Sequence, residues 1–418
     1  MRILPKPSIS MEDVRNTIDT YIKGLSDELY TLNKQIHDEP EIAFQESKAQ
    51  THISNFLEKQ GHAVQRGAYN LPTSLESIYG SKGRCVNFNA EYDALPDLGH
   101  ACGHNLIATA SIAAYLALAH ALSKYDVNGR AQLLGTPAEE DGGGKVLLLD
   151  AGAYEKADLS LMIHPFVEDQ FRPKGTIGSA GQTSIATADL IAEFRGTSAH
   201  ASGNPWDGIN ALDALVASYN NISMLRQQIK PDERIHGCIL QAPKITNVIP
   251  EYTKVKFSIR SPKMNSLKKL SERVRKCLEA GGLATGCEVE ITEELAYADL
   301  WVNNPLCSLF KGHMESLGVS LSQGSQHENI GGSTDMGNVS QVIPGLHGVI
   351  GIKAPPGAFP HTHAFTEAAG TKEAHLRILG AAKGMALTAW SAIVDDEVFA
   401  EIQDDFEKMR NTDKNLSL

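Results

Sequence analysis

Residues 11–36 place Val14, Ile18, Ile22, Leu25, Leu29, Leu32 and Ile36 at steps of three and four, with polar residues between them. That period predicts an amphipathic helix, ended by Pro40. A second helical pattern runs from about Gln45 to Lys59 and stops at Gly61. Short apolar runs then alternate with helical stretches. CVNFNA (85–90), AQLLGT (131–136) and LSLMIH (159–164) read as strands, and 144–156 reads as helical. Between the first two strands lies LIATASIAAYLALAHAL (106–122), the most apolar run of the chain. It falls short of the ~20 residues that span a bilayer and contains Thr109, Ser111 and His120, so it predicts a buried helix. The alternation predicts an α/β domain with a mixed, largely parallel sheet flanked by helices, in which functional residues gather at the carboxyl ends of strands.

The pattern changes near residue 180. SIATADLIAEFRG reads as a strand, GINALDALVASYNNISMLRQQI as a helix, and IHGCILQAPKIT and TKVKFSIRS as two strands broken by NVIPEY. SLKKLSERVRKCLEAGG is a helix closed by glycines, and CEVEITEEL is a last alternating strand. The order βαββαβ is that of a ferredoxin-like unit. Afterwards the chain returns to an apolar strand, GVIGI (348–352), and ends in long helices from 371 onward. The reading is one catalytic domain, 1–181 and 296–418, interrupted by a smaller lid or dimerisation domain, 182–295. A chain of 418 residues also exceeds the ~250–300 residues at which single cores stop growing.

Composition narrows the function classes. A formal net charge of −12, with no basic cluster, argues against nucleic acid and against anionic membranes. The six cysteines (85, 102, 238, 277, 287, 307) are spread out with no CxxC pair, which reads as reduced thiols in the cytoplasm rather than a disulfide framework. The first residues, MRILPKPSIS, hold two prolines and no apolar core segment, so no secretory signal is expected.

The chemistry collects at the strand ends. HACGHN puts His100, Cys102 and His104 within five residues, just before the apolar helix. If the segment is extended, all three point one way. If it is helical, only the histidines share a face. The bland alternative is a buried cysteine with two incidental histidines. GTPAEEDGGG (135–144) offers Glu139, Glu140 and Asp141 in a turn that, alone, reads as a solvated acidic loop. MIHP ends a buried strand in His164, FPHTHAF offers His361 and His363, and AEYDALP places Asp93 just past a strand. Each is weak singly. Together they put Cys, His and carboxylate groups at the ends of successive strands, which is the composition of a transition-metal centre.

In these residues the chain resembles the dinuclear zinc peptidases and amidohydrolases, a family of aminoacylases, carboxypeptidase G and auxin-conjugate amidohydrolases. DALP, HACGHN, the Glu-Glu pair, MIHP, GTSAHAS, NVIPEYTKVKFSIRS and HTHAFTEAAGT occur in order along nearly the whole chain. The branch it most resembles holds aminobenzoyl-glutamate hydrolase and the Xaa-Arg or β-alanyl-lysine dipeptidases. The resemblance implies Cys102, His104, Glu140, His164 and His361 as metal ligands, with His363 ranked behind His361 and His100 a bystander. It implies Glu139 as general base and Asp93 as the acid that orients the site. Other branches carry a ligand His where this chain has Glu91, and many relatives carry Asp where this chain has Asn105. It further implies His200 as a transition-state-stabilising residue reaching the partner subunit's site, and Asn247 and Arg260 as substrate-binding residues. The glycine-rich GGSTDMGN (331–338) resembles the family's pocket loop.

The expected cofactor is two divalent metal ions, zinc first because thiolate suits it, with manganese or cobalt compatible. Metal-bound water with its pKa near ~7 supplies the nucleophile for amide hydrolysis, and Glu139 moves its proton to the leaving amine. The expected protein is therefore a metallo-amidohydrolase or dipeptidase, acting as a homodimer on a dipeptide or N-acyl amino acid with a free carboxylate. A non-catalytic metal-binding scaffold has no need of Glu139. A cysteine hydrolase built on Cys102 is the third reading. Chelation and thiol blocking separate these: a metal enzyme loses turnover to a chelator and regains it with added metal, whereas a cysteine hydrolase survives the chelator.

Overall fold

A computed structural model describes residues 9–171, 174–329 and 332–416. The two early prolines and Gly331 of the glycine-rich loop lie outside the described residues. The predicted first helix is present as Met11–Asp38, capped by the Ser10 side chain on Asp13 N. Its three- and four-residue stripe of Val14, Ile18, Ile22, Leu29, Leu32 and Ile36 is buried.

Among the described residues the main sheet has seven strands. Its centre is Cys85–Glu91, flanked on one side by Arg130–Thr136 and on the other by Leu159–Val167, which in turn pairs with Gly345–Ile352. All three of those pairings are parallel, and antiparallel strands close the two edges. Alternation along the strands sends Leu133, Leu161 and Ile163 into one core and Leu134 and Met162 into another on the opposite face. The apolar run forms the helix His104–Tyr125, packed between the sheet and the helices Met11–Asp38 and Lys372–Val394. It is long and apolar enough to cross a membrane, but 89% of its most apolar window is buried inside the protein. A covering of helices on both faces is what makes such a continuous apolar surface stable.

Chain order sets the position of the site. After Arg130–Thr136 the chain crosses over the central strand to reach Leu159–Val167 on its other side. Two loops therefore diverge at the carboxyl end of Cys85–Glu91 and leave a crevice between them.

The segment Ala186–Glu293 builds a second sheet with a core of its own, centred on Leu190, Phe194, Val255, Phe257, Leu270 and Val274. Its strand order is Arg234–Gln241, Tyr252–Ser261, Ala186–Arg195, Glu288–Glu293, all antiparallel, the order of a ferredoxin-like sheet. Two helices, Ala211–Leu225 and Met264–Thr285, pack together on it.

Several element boundaries differ from the sequence reading by two or more residues. The stretch 144–156 is helical only over Gly144–Asp150, because Gly152 takes φ +81 and its N–H closes onto Leu149 O. The strand ending at His164 continues to Val167, held by its pairing through Ile352. The strand predicted to reach Thr246 stops at Gln241, two residues before Pro243. An unpredicted two-residue ladder, Ala199–His200 with Val248–Ile249, joins GTSAHAS to NVIPEY at one corner of the second sheet.

Asn105 has a structural explanation. It is fully buried, and its Nδ2 donates to Asn33 Oδ1 at 2.9 Å and Ala369 O at 3.0 Å. It thus ties the first turn of the site helix to Met11–Asp38 and to the helix His363–Ala369. We expect Asn105→Ala to cost about 1–3 kcal/mol through the buried acceptors it strands. Urea denaturation measures this, with bound metal unchanged in the variant that still folds.

Candidate metal centre and active site

HACGHN is a loop entering a helix. Gly103 is the N-cap, at φ +79, and His104 is the first helical residue. A Cβ on Gly103 would stand 2.5 Å from Pro165 Cγ, so only glycine lets this turn press against the neighbouring strand. The turn separates the three candidates. Cys102 and His104 face the crevice, whereas His100 is buried and stacked at 6.4 Å on His37. Burial pushes the His100 imidazole down to about 3.

The Glu-Glu loop is shaped by a second close approach. Gly144 passes so near Pro137 that an added Cβ would sit 1.7 Å from its carbonyl oxygen. Ala138, a non-glycine residue at φ +59, turns the chain immediately before Glu139. Its N–H is held by the buried Glu46 carboxyl at 2.9 Å. His361 also adopts the left-handed region, at φ +68, and its N–H bonds Ala101 O at 2.9 Å. That bond ties the late histidine directly to the HACGHN loop.

These turns bring five candidate ligands together. Cys102, His104 and His164 converge as one group, with Cys102 Sγ 3.3 Å from His164 Nε2. Cys102, Glu140 and His361 converge as a second, with Glu140 Oε1 3.5 Å from His361 Nε2. Cys102 belongs to both. His104 Nε2 lies 3.8 Å from both Glu139 Oε2 and Glu140 Oε1. His363 enters no such group among the described residues.

The outer contacts orient the ligands. His104 Nδ1 bonds Asp93 Oδ1 at 3.0 Å, and Asp93 Oδ2 accepts the Glu140 N–H at 2.9 Å. His164 Nδ1 bonds Pro165 O at 2.7 Å. Each histidine therefore turns Nε2 into the crevice, the arrangement metal-bound imidazoles adopt. His104 Nε2 and Glu140 Oε1 are buried without a hydrogen bond among the described residues. A thiol, three imidazoles and a carboxylate, with buried lone pairs left open, fit divalent cations.

The electrostatics agree. Burial works to lower the His104 imidazole, but the Asp93 carboxylate overcomes it and raises the group well above its usual range. Burial and the neighbouring Glu140 push the Cys102 thiol up. Burial, then Glu91, Glu140 and Asp335, push Glu139 well above the carboxylate range. A cation among these groups reverses the push on Cys102 and favours thiolate.

A group the sequence reading missed lies behind the ligands. Lys145, fully buried, bridges Glu91 Oε1 and Asp335 Oδ1 at 2.5 Å each. Glu91, Glu139 and Asp335 also converge. No signal short of the tertiary structure marks Lys145, the first lysine after a glycine turn. His347 was likewise missed: it is 5% exposed and stacked at 5.8 Å on His164.

A cavity of about 760 Å³ opens over the centre. One wall is the main sheet, with His164, Phe166, His347 and Val349. The other is the second sheet, with Thr187, Asp189, Ser258 and Arg260. Arg260 has no ion-pair or hydrogen-bond partner for its guanidinium among the described residues. His200 and Asn247 do not line this cavity. They are exposed at the corner ladder, where Ala201 N bonds Asn247 O at 3.0 Å. His200 Nδ1 accepts from Ser202 N at 3.2 Å and Gly203 N at 3.0 Å, so its Nε2 is left to carry the proton outward.

With the geometry in place, comparison with known proteins is specific. The sequence profile described as Peptidase family M20/M25/M40 matches residues 88–376. The Xaa-Arg dipeptidase of Mus musculus is 38% identical, over 92% of this chain and 90% of its own. A p-aminobenzoyl-glutamate hydrolase chain from Escherichia coli is 29% identical, over 71% of this chain and 64% of its own. Among solved structures, an aminobenzoyl-glutamate utilization protein from Klebsiella pneumoniae superposes with a TM-score of 0.69 at 20% identity, covering 90% of this chain and 99% of that one. A dinuclear metal binding peptidase from Bacillus subtilis superposes with a TM-score of 0.58 at 19% identity, covering 85% and 98%.

Because Cys102 is shared by both ligand groups and His361 by one, their replacements are expected to differ. Cys102→Ala should abolish stoichiometric metal, whereas His361→Ala should retain roughly half of it. Elemental analysis of the purified variants measures this. Equal loss in both contradicts the shared position of Cys102.

Proposed function

We propose that this chain, which belongs to the M20/M25/M40 peptidase family, is a metal-dependent dipeptidase. In this reading it cleaves the amide on the amino side of a residue with a free α-carboxylate. The observation that carries the reading is Arg260: an unpaired guanidinium on the second sheet, facing the ligand cluster across the cavity. Such a group binds a carboxylate bidentately and is costly to leave idle in a pocket. Asp141, Asp189, Glu293 and Glu294 line the same cavity. Lys256 bridges Asp189 and Glu294 at 2.9 and 2.5 Å, one positive charge for two negative ones. Glu293 is paired with Arg275 at 2.9 Å, so the excess is Asp141 and one carboxylate of the Lys256 bridge; that negative charge favours a basic side chain on the released residue, in keeping with the name of the mouse relative.

Cys102, His104, Glu140, His164 and His361 would hold two divalent ions, zinc by preference for the thiolate. When bound, they would supply Lewis acidity at the scissile carbonyl and a water of lowered pKa. Glu139, beside Glu140 and 3.8 Å from the His104 imidazole, takes the proton from water and delivers it to the leaving nitrogen. Asp93 holds the His104 ring in orientation. His200 and Asn247 stabilise the reacting carbonyl and substrate from a second subunit. The exposed Ile239 (51%) and Leu240 (50%) on the edge strand, and Met224 (67%) on the adjoining helix, support a two-fold interface on the second domain. Ligands on one domain and Arg260 on the other favour closure around substrate. Cytoplasmic location accords with six unpaired cysteines.

A screen of dipeptides and N-acyl amino acids, read by amine release with zinc, manganese or cobalt, tests the reading. Turnover of none of them overturns it. Glu139→Gln is expected to lower kcat by about 10²–10⁴ with metal retained. Arg260→Ala should raise KM roughly 10- to 100-fold through the lost carboxylate bond. Mixing inactive His200→Ala with inactive Glu139→Gln should restore about a quarter of the activity if His200 serves the partner's site. A site completed within one chain restores none.

A further inference from the structure

Most of the open polar atoms around the cavity are accounted for by the metal ligands, but His347 is not. It belongs to the strand Gly345–Ile352, two residues before Val349, which pairs with His164. Its ring lies beneath the His164 ring with an interplanar angle of 29°. It is 5% exposed and lines the cavity, and neither ring nitrogen has a partner among the described residues. On a strand otherwise built of Leu, Val, Ile and Gly, packing alone has no use for such a residue, because a buried imidazole without hydrogen bonds costs free energy. Ser333, also on the cavity wall, has a buried Oγ that is likewise open. Glu91 and Lys145 of the buried ion cluster act electrostatically on the His347 ring, and Asp335 follows Ser333 by two residues; in that cluster Lys145 offers one positive charge to Glu91 and Asp335.

From this arrangement we infer that His347 and Ser333 form a subsite for the free α-ammonium group of the substrate's amino-terminal residue. The inference rests on the dipeptidase reading. Arg260 anchors the carboxylate from the second sheet, and the scissile amide lies at the ligand cluster. The amino-terminal residue therefore falls toward the opposite wall, where His347 lies. An ammonium needs acceptors and a negative surrounding potential. An imidazole nitrogen and a hydroxyl oxygen provide the first, and the two-to-one excess of carboxylates behind them provides the second. An N-acyl group of the same shape has no donors for these acceptors and leaves them unpaired. His347 is then a specificity-determining residue that separates dipeptides from N-acyl amino acids.

The test compares Ala-Arg with N-propionyl-arginine, which has the same amide and shape without the amine. Binding to metal-loaded Glu139→Gln, a background that does not turn over, is measured by calorimetry. Ala-Arg should bind at least ~10-fold tighter, and this preference should fade as pH rises through the α-amine pKa near ~8. Adding His347→Leu should remove the preference by weakening Ala-Arg alone, and His347→Gln, which keeps an acceptor, should restore part of it. Ser333→Ala should reduce it without His347 being touched, which keeps the inference testable if the leucine variant does not fold. Equal affinity for the two compounds overturns this inference and leaves the dipeptidase reading standing. Failure of both to bind overturns the two together. Equal weakening of both by His347→Leu assigns the residue to packing and also overturns the inference.

Discussion

The centre of this protein is a concentration of like charge in a dry place. Glu91, Asp93, Glu139 and Asp335 are all buried within one crevice, and among the described residues the Lys145 ammonium and the raised His104 imidazole face them. Isolated buried carboxylates are unstable unless paired, bonded or neutralised. Asp93 is bonded by His104 and a backbone N–H, and Lys145 forms ion pairs with Glu91 and Asp335. Glu139 and Glu140 are left facing open imidazole nitrogens and a thiol. Divalent cations would balance that set, and a base held beside them is suited to hydrolysis.

The fold reaches this arrangement through backbone rather than side-chain packing. The crossover around the strand Cys85–Glu91 opens the crevice. Gly103 and Gly144 allow two loops to approach to distances that no Cβ tolerates. Ala138 and His361 accept left-handed conformations next to the groups that matter. Strain of that kind persists only where surrounding bonds over-determine it, here the Glu46 carboxyl on Ala138 and the Ala101 carbonyl on His361. The helix His104–Tyr125 anchors the whole, because its nearly complete burial between sheet and helices removes any freedom to shift His104.

Much was legible beforehand. Periods of two and of three to four located the long helices and the buried strands to within a few residues, since burial on one or both faces leaves that signature. The change of pattern near residue 180 marked the second sheet, whose antiparallel order follows from its βαββαβ sequence. His100, Cys102, His104, Glu139, Glu140, His164, His361 and His363 stood out because metal-binding residue types cluster at strand ends, and the family resemblance selected Cys102, His104, Glu139, Glu140, His164 and His361 among them. Lys145 and His347 were not. A lysine after a glycine turn reads as solvated, and a histidine in an apolar strand reads as incidental, until the elements facing them are known.

The sequence by itself determined which elements form, that they build an α/β domain with an inserted sheet, and which residue types were available for metal chemistry. These follow from local periodicity and composition. Only the tertiary structure decided that Cys102 serves two ligand groups, that His361 rather than His363 meets Glu140, that Asn105 is a tie between helices, and that Lys145 neutralises Glu91. Each depends on distances between segments tens to hundreds of residues apart, and such distances are set by packing, which no local pattern encodes.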